Sequence, residues 1–474
     1  MVDLSVGATP VVSLFASFAS KALPELFSPL LLAAEPGAEN APIVLAGVLL
    51  SLVVIYFAAK LVGELCVRIN LPPVLGELIA GVIVGISVLN LLVFPEDGGF
   101  HSAILDFLQM TAGLKAEAVP AVGGSISEII SVLSEIGVIV LLFEIGLESD
   151  LKELIRVGPQ AAIVAVVGVA APFAAGTAGL ILLFGVAPVP AIFAGAALTA
   201  TSIGITAKVL AEIGQLSSRE GQIIIGAAVL DDVLGIIVLA VVASLAKTGE
   251  IRVSNIIYLV ISATVFLIGA ILLGRLLSPY FVGLVERMQT RGQLLLSSLI
   301  FAFVLSYIGA AIQLEAILGA FAAGLVLAET EKREELGEQV VPIADMFVPI
   351  FFVVVGAKTD ISVLNPINPA NREGLIIASF LVVVAVIGKI ITGATVFGQE
   401  KVNRLAIGIG MIPRGEVGLV FAGVGSATGV LPESLDAAII VMVILTTFVA
   451  PPLLRVVFQD TDAKENLESL QKSE

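Results

Sequence analysis

Residues 226–242 read GAAVLDDVLGIIVLAVV, an apolar run interrupted by two adjacent aspartates, Asp231 and Asp232. Such a run belongs to a helix crossing about 30 Å of hydrocarbon, which takes roughly twenty residues at 1.5 Å each. A charge near the bilayer centre costs from about 3 to more than 10 kcal/mol, so an acid kept there marks function by default. Successive helical residues point in different directions, so the two carboxylates do not share one site. One can meet a fixed cation while the other faces an aqueous cavity and holds either a proton or a metal ion. The plain structural alternative is an ion pair capping a loop.

The rest of the chain has the same texture. Of 474 residues, 58% are hydrophobic and 14% charged, which excludes a string of soluble domains. Apolar runs separated by charged, Gly and Pro punctuation give about thirteen spans: 43–67, 72–93, 127–147, 160–185, 188–210, 219–246, 253–286, 291–311, 314–329, 339–358, 372–398, 403–428 and 434–456. Each must satisfy its own backbone hydrogen bonds, so the fold class is all-α and polytopic.

The net charge of −16 lies mostly in loops and tails, and a nucleic-acid partner is excluded. One cysteine, Cys66, permits no internal disulfide, and one histidine, His101, builds no metal cluster. No GxxxxGK[ST] motif occurs, no cofactor is expected, and the energy source left is an ion gradient. Residues 1–42 read as an N-terminal leader; the apolar run at 24–36 resembles a signal-peptide core but lacks a basic n-region. Residues 457–474 read as a short cytoplasmic tail, too short for a nucleotide-binding domain. Basic loop residues such as Arg68, Lys152, Arg156, Lys332, Arg333 and Arg404 gather on the C-terminal side of the membrane. That asymmetry predicts an N-terminus outside and a C-terminus in the cytoplasm.

Two further places carry charge inside spans. Lys389 sits in IASFLVVVAVIGKIITGA (377–394), too deep to snorkel with ease, and its natural partner is an acid on another helix. The bland reading is a lysine at a cytoplasmic helix end. Arg414 and Glu416 sit in GIGMIPRGEVGLVFAG (408–423), where Pro413 and Gly415 interrupt the helix and free backbone groups. The counterpart is AIFAGAALTATSIGITAKVL (191–210), with Thr199, Thr201, Ser202 and Gly204 as a polar, small-residue break. Interrupted segments in corresponding places of two halves, here 72–247 and 314–456, are the sequence pointer to a transporter site. Glu144, in VIVLLFEIGLESDL (138–151), is a possible ion-pair partner of Arg414 or Lys389, or a structural acid. Glu77 reads as a first-turn acid favoured by the helix dipole.

Seven pieces in order resemble the monovalent cation/proton antiporters of the second CPA branch, particularly the NapA-like sodium/proton antiporters. They are LPPVLGELIAGVIVG, GVIVLLFEIGLESD, TATSIGITAKVL, LDDVLG, AILGAFAAGLVLA, PIFFVVVGAKTD and MIPRGEVGLV. The resemblance implies an inverted-repeat antiporter fold with two broken crossing helices, in a homodimer within the lipid bilayer. It implies core helices at 160–246 and 372–456, dimerisation-panel helices at 43–147 and 291–358, and a linker at 253–286. By the same resemblance Asp232 is the carboxylate that binds the transported Na⁺ or a proton, and Asp231 is paired with Lys389. Thr199, Thr201 and Ser202 line the first broken helix; Arg414 and Glu416 belong to the second. The expected activity is electrogenic exchange of Na⁺, with Li⁺ or K⁺ as further cations, for H⁺ by a secondary transporter and not an enzyme. The expected location is a bacterial inner membrane or a thylakoid-type membrane. A K⁺/H⁺ antiporter and a gated K⁺ efflux channel stand as alternatives, although the carbonyl filter motif of K⁺ channels is absent.

Overall fold

The computed structural model describes residues 40–96, 99–248, 253–365, 371–397 and 402–473, so the expected leader lies outside the described residues up to residue 39. The first elements are α1 (Ala41–Arg68), α2 (Pro73–Val84), a hairpin of β1 (Pro95–Glu96) antiparallel to β2 (Gly99–Phe100), and α3 (Ala103–Thr111). Then follow α4 (Val119–Glu148), α5 (Leu151–Phe184), α6 (Pro188–Ala197), α7 (Ile203–Glu212), α8 (Arg219–Thr248) and α9 (Val253–Arg287). The remaining helices are α10 (Gln293–Ala311), α11 (Ala316–Leu327), α12 (Arg333–Ala357), α13 (Asn371–Ala394), α14 (Arg404–Gly410), α15 (Glu416–Ala427) and α16 (Glu433–Ser473).

Nine helices among the described residues are long and apolar enough to cross a membrane. The other four expected spans coincide with the shorter apolar helices α2 and α11 and with the interrupted pairs α6–α7 and α14–α15. Several boundaries differ from expectation, among them the starts of α4 and α5 at Val119 and Leu151 where 127 and 160 were expected. The span over 72–93 stops being helical at Val84: the N–H groups of Leu91 and Leu92 turn back to the Val84 carbonyl, and Asn90 takes φ 45°. Asparagine is among the few side chains that tolerate this left-handed backbone, so the apolar residues after it continue as a turn. At the other end, the expected tail is a continuation of α16 to Ser473.

The chain forms two compact units. One comprises the described part of Met1–Leu65 with Gly76–Ile136 and Pro349–Asp360. In it α2 and the end of α12 touch backbone to backbone: a Cβ on Gly81 would lie 2.2 Å from the Val353 carbonyl oxygen, and one on Gly356 2.1 Å from that of Leu78. Only glycine fits there, which is how helices pack closely when water supplies no driving force.

The second unit, Cys66–Leu75, Gly137–Val348 and Ile361–Glu474, contains both interrupted pairs. Here α5 packs on α8, α13 and α6, and α13 packs on α14 and α16. Helix α5 starts on Asp150, whose side chain accepts from the N–H groups of Lys152 (2.8 Å) and Glu153 (3.2 Å), and ends on Gly185 at φ 66°. Phe193, Leu198, Leu381, Phe421 and Met442 belong to one apolar core that holds α6 and α15 beside α13 and α16. The breaks are therefore fixed within a packed scaffold.

Candidate functional site

Helix α6 begins with Pro188 at its first position and ends at Ala197; α7 resumes only at Ile203. The intervening hydroxyl residues supply alternatives to helical bonding, as the Thr199 Oγ1 donation to the Ala196 carbonyl at 2.7 Å illustrates. Helix α14 ends at Gly410 and α15 begins at Glu416. Pro413 lacks an N–H and cannot continue a helix from below, so the second break falls where the sequence places it.

Backbone groups freed inside a bilayer must find partners, and here the two breaks supply them to each other. The Ser202 N–H donates to the Pro413 carbonyl at 2.8 Å. Thr201 Oγ1 donates to the Met411 carbonyl at 3.2 Å, and Thr206 Oγ1 to the Gly410 carbonyl at 2.9 Å. Arg414 Nη2 donates to the Leu198 carbonyl at 2.5 Å, while its Nη1 reaches the Met411 and Ile412 carbonyls at 3.4 Å. Thr447 Oγ1 donates to the Arg414 carbonyl.

Lys389 completes this pattern. Its Nζ donates to the Thr199 carbonyl at 2.8 Å and lies 3.3 Å from Asp231 Oδ2 and 3.5 Å from Oδ1. Lys389, Asp231 and Arg414 are all 0% exposed. Both cations thus meet consecutive carbonyls, Leu198 and Thr199, just past the C-terminal end of α6, where the helix dipole is negative. A buried pair with one partner removed leaves an uncompensated charge, typically at a cost of about 3–5 kcal/mol, so Asp231 and Lys389 hold each other in place. Asp232, one residue along α8 and so offset around the helix from Asp231, is 6% exposed.

The structure brings Thr199, Thr201, Ser202, Asp231, Lys389 and Arg414 into one cluster in the second unit. Glu416 opens α15, and its side chain lies outside the described residues. Glu144 lies on α4, where the charges of Lys208 on α7, Glu148 and Asp345 act on it. Thr206 and Thr447 were not singled out by sequence reasoning. A hydroxyl in a span was the available signal, but hydroxyls in apolar helices more often bond their own preceding turn, as Thr446 does with the Met442 carbonyl at 2.8 Å. Among the described residues, no group of three or more His, Cys, Asp or Glu side chains is arranged to hold a metal ion.

Residues 48–459 match the family described as sodium/hydrogen exchanger, transmembrane. The chain is 69% identical over 450 residues to the high-affinity Na⁺/H⁺ antiporter NhaS3 of Synechocystis, covering 94% of this chain and 98% of that one. It is 34% identical over 413 residues to the Na⁺/H⁺-K⁺ antiporter GerN of Bacillus cereus, covering 86% of this chain and 95% of the other. Among solved structures, the sodium proton antiporter MjNhaP1 of Methanocaldococcus jannaschii shares the fold with a TM-score of 0.56 at 16% identity, over 88% of this chain and 96% of that one.

Proposed function

The chain belongs to the sodium/hydrogen exchanger family, and from that premise we propose that it exchanges Na⁺ for H⁺ across a membrane, with Asp232 as the group that carries both. The observation that supports this most is the division of labour on α8: Asp231 is engaged with Lys389 at 3.3 Å, while Asp232, offset around the helix by one residue, is 6% exposed. A carboxylate that is either protonated or bound to Na⁺, but never both, makes exchange obligatory without a further gate.

Thr199, Thr201 and Ser202 surround this site as the lining of the first break. The ends of α6 and α14 bring negative dipole ends toward the crossing, and the starts of α7 and α15 bring positive ones. With Lys389 and Arg414 already neutralising carbonyls, an arriving cation is balanced by Asp232. When Na⁺ takes Asp232 and draws Asp231 toward it, Lys389 loses its counter-charge in a dry site. Release of its proton removes that unpaired charge, giving two protons per Na⁺ and electrogenic exchange.

Access alternates by near-rigid movement of a core, 160–246 and 372–456, against a panel, 43–147 and 291–358, with 253–286 as the link. The assembly is a homodimer in the bilayer, with its N-terminus outside and its C-terminus in the cytoplasm of a bacterial inner or thylakoid-type membrane. K⁺ as a further cation is favoured by one relative whose name includes it. The test is ion-driven collapse of a pH gradient in proteoliposomes, with Na⁺, Li⁺ and K⁺ added separately. Collapse with Na⁺ supports the reading, and a gradient indifferent to all three cations contradicts it.

A further inference from the structure

Helix α5 faces the Lys389 ammonium with a glycine. A Cβ placed on Gly168 would lie 3.2 Å from Lys389 Nζ and 3.6 Å from its Cδ, so a bare Cα forms the wall of the pocket that holds the ammonium. Four residues on, α5 contains Pro172. Proline has no N–H, so the carbonyl of Gly168 loses its i+4 donor, and the proline ring pushes that carbonyl outward from the helix. Both residues are buried, and α13 follows this surface closely: a Cβ on Gly388 would lie 3.0 Å from Pro172 Cγ.

An ammonium has three donors. Among the described residues, Lys389 uses them on the Thr199 carbonyl and the Asp231 carboxylate. The carbonyl freed by Pro172 is in the same turn of α5 as the wall of the lysine pocket, in a place where an orphaned acceptor is costly.

We propose that Gly168 and Pro172 are positioning residues for the coupling lysine, an inference that rests on the exchange reading above. When Asp231 turns toward the transported cation, the Gly168 carbonyl receives the Lys389 ammonium, and the absent side chain lets it arrive. Lys389 then separates from Asp231 with its N–H groups still hydrogen-bonded, which lowers the cost of admitting Na⁺, while its charge stays uncompensated until the proton leaves. No bond is made or broken in this step; a hydrogen bond moves from a carboxylate to a carbonyl.

The experiment is Na⁺-dependent H⁺ exchange in proteoliposomes for the wild type, Pro172→Ala, Gly168→Ala and Asp232→Asn. Pro172→Ala returns the Gly168 carbonyl to its helix and also repairs α5, so it folds even if Gly168→Ala does not. A hydrogen bond to a charged group corresponds to roughly a tenfold effect or more, so the apparent KM for Na⁺ rises by about tenfold in Pro172→Ala, by a larger factor than kcat falls. A purely structural proline would leave KM where it was. Wild-type KM in folded Pro172→Ala, with Asp232→Asn inactive, overturns this inference and leaves the exchange reading intact. Full activity of Asp232→Asn overturns the reading itself, and the inference with it.

Discussion

The backbone N–H of Ser202 donates to the carbonyl of Pro413 at 2.8 Å, so the two helix interruptions are bonded to each other at their break points. A polar break in one helix would be unstable alone in hydrocarbon. Two breaks that exchange donors and acceptors become a rigid frame, and the proposed ion site is built on that frame.

The frame leaves no room at Gly415. A Cβ there would lie 2.7 Å from Ser202 Oγ and 2.9 Å from Ser202 Cβ, and only the hydroxyl can rotate away. Gly415→Ala therefore spreads the crossing. Displacement on the scale of an ångström at a reacting site costs up to about 100-fold. We expect a folded protein with Na⁺-dependent exchange reduced by about tenfold or more in proteoliposomes. Wild-type turnover would show that the crossing can open without consequence.

Arg414 is bonded to carbonyls from both breaks, at Leu198 and at Met411 and Ile412. Arg414→Met leaves those acceptors unsatisfied in a buried place, with a cost of about 1–3 kcal/mol each. Thermal unfolding in detergent should fall clearly for this variant. For Thr447→Val, which removes one neutral donor to the Arg414 carbonyl, the loss should be near 1 kcal/mol. Equal melting of Arg414→Met and the wild type would contradict the frame.

Exchange should move net charge, because Asp232 and Lys389 each respond to one arriving cation. Reversal-potential measurements in proteoliposomes decide the point. A null-flux condition that shifts with voltage as two protons per Na⁺ requires is the expected result. A voltage-independent null means one-for-one exchange and reduces Lys389 to a structural partner.

Past the C-terminal end of α11, Glu329 is bonded to Arg275 of α9 at 2.5 and 2.6 Å, and this bond holds its carboxyl below the ordinary value near 4.5. A carboxyl with a depressed folded value adds stability above its unfolded value and loses it as pH falls through the folded one. The pair is partly exposed, so its contribution is at most about 1 kcal/mol. Glu329→Gln should melt slightly lower than the wild type at neutral pH, and the gap should close on acidification below about pH 4. A gap that persists in acid would rule out the ion pair as its source.

The passages and both breaks were legible because hydrocarbon allows helices alone and because Pro413, Gly415 and the 199–202 hydroxyls have no other use in an apolar span. The turn after Val84 was not, since apolar residues continue past it and the left-handed backbone at Asn90 has no signature in hydropathy. Within the site, adjacency in sequence separated Asp231 from Asp232, but the partner of Asp231 came from family resemblance. Spacing along one helix carries no information about which distant helix packs on it. Glu144 shows the same limit: its depth suggested an ion pair with Arg414 or Lys389, and the cationic charge that acts on it is that of Lys208. Gly168 was hidden for a related reason, since a helix apolar on every face does not declare which face meets Lys389.

The central claim, that Asp232 carries both substrates, is tested most directly by Asp232→Asn reconstituted into proteoliposomes with an imposed pH gradient. The account predicts a folded variant whose gradient is unaffected by added Na⁺, under conditions where the wild type collapses it. Na⁺-dependent collapse at the wild-type rate in that variant would contradict the account.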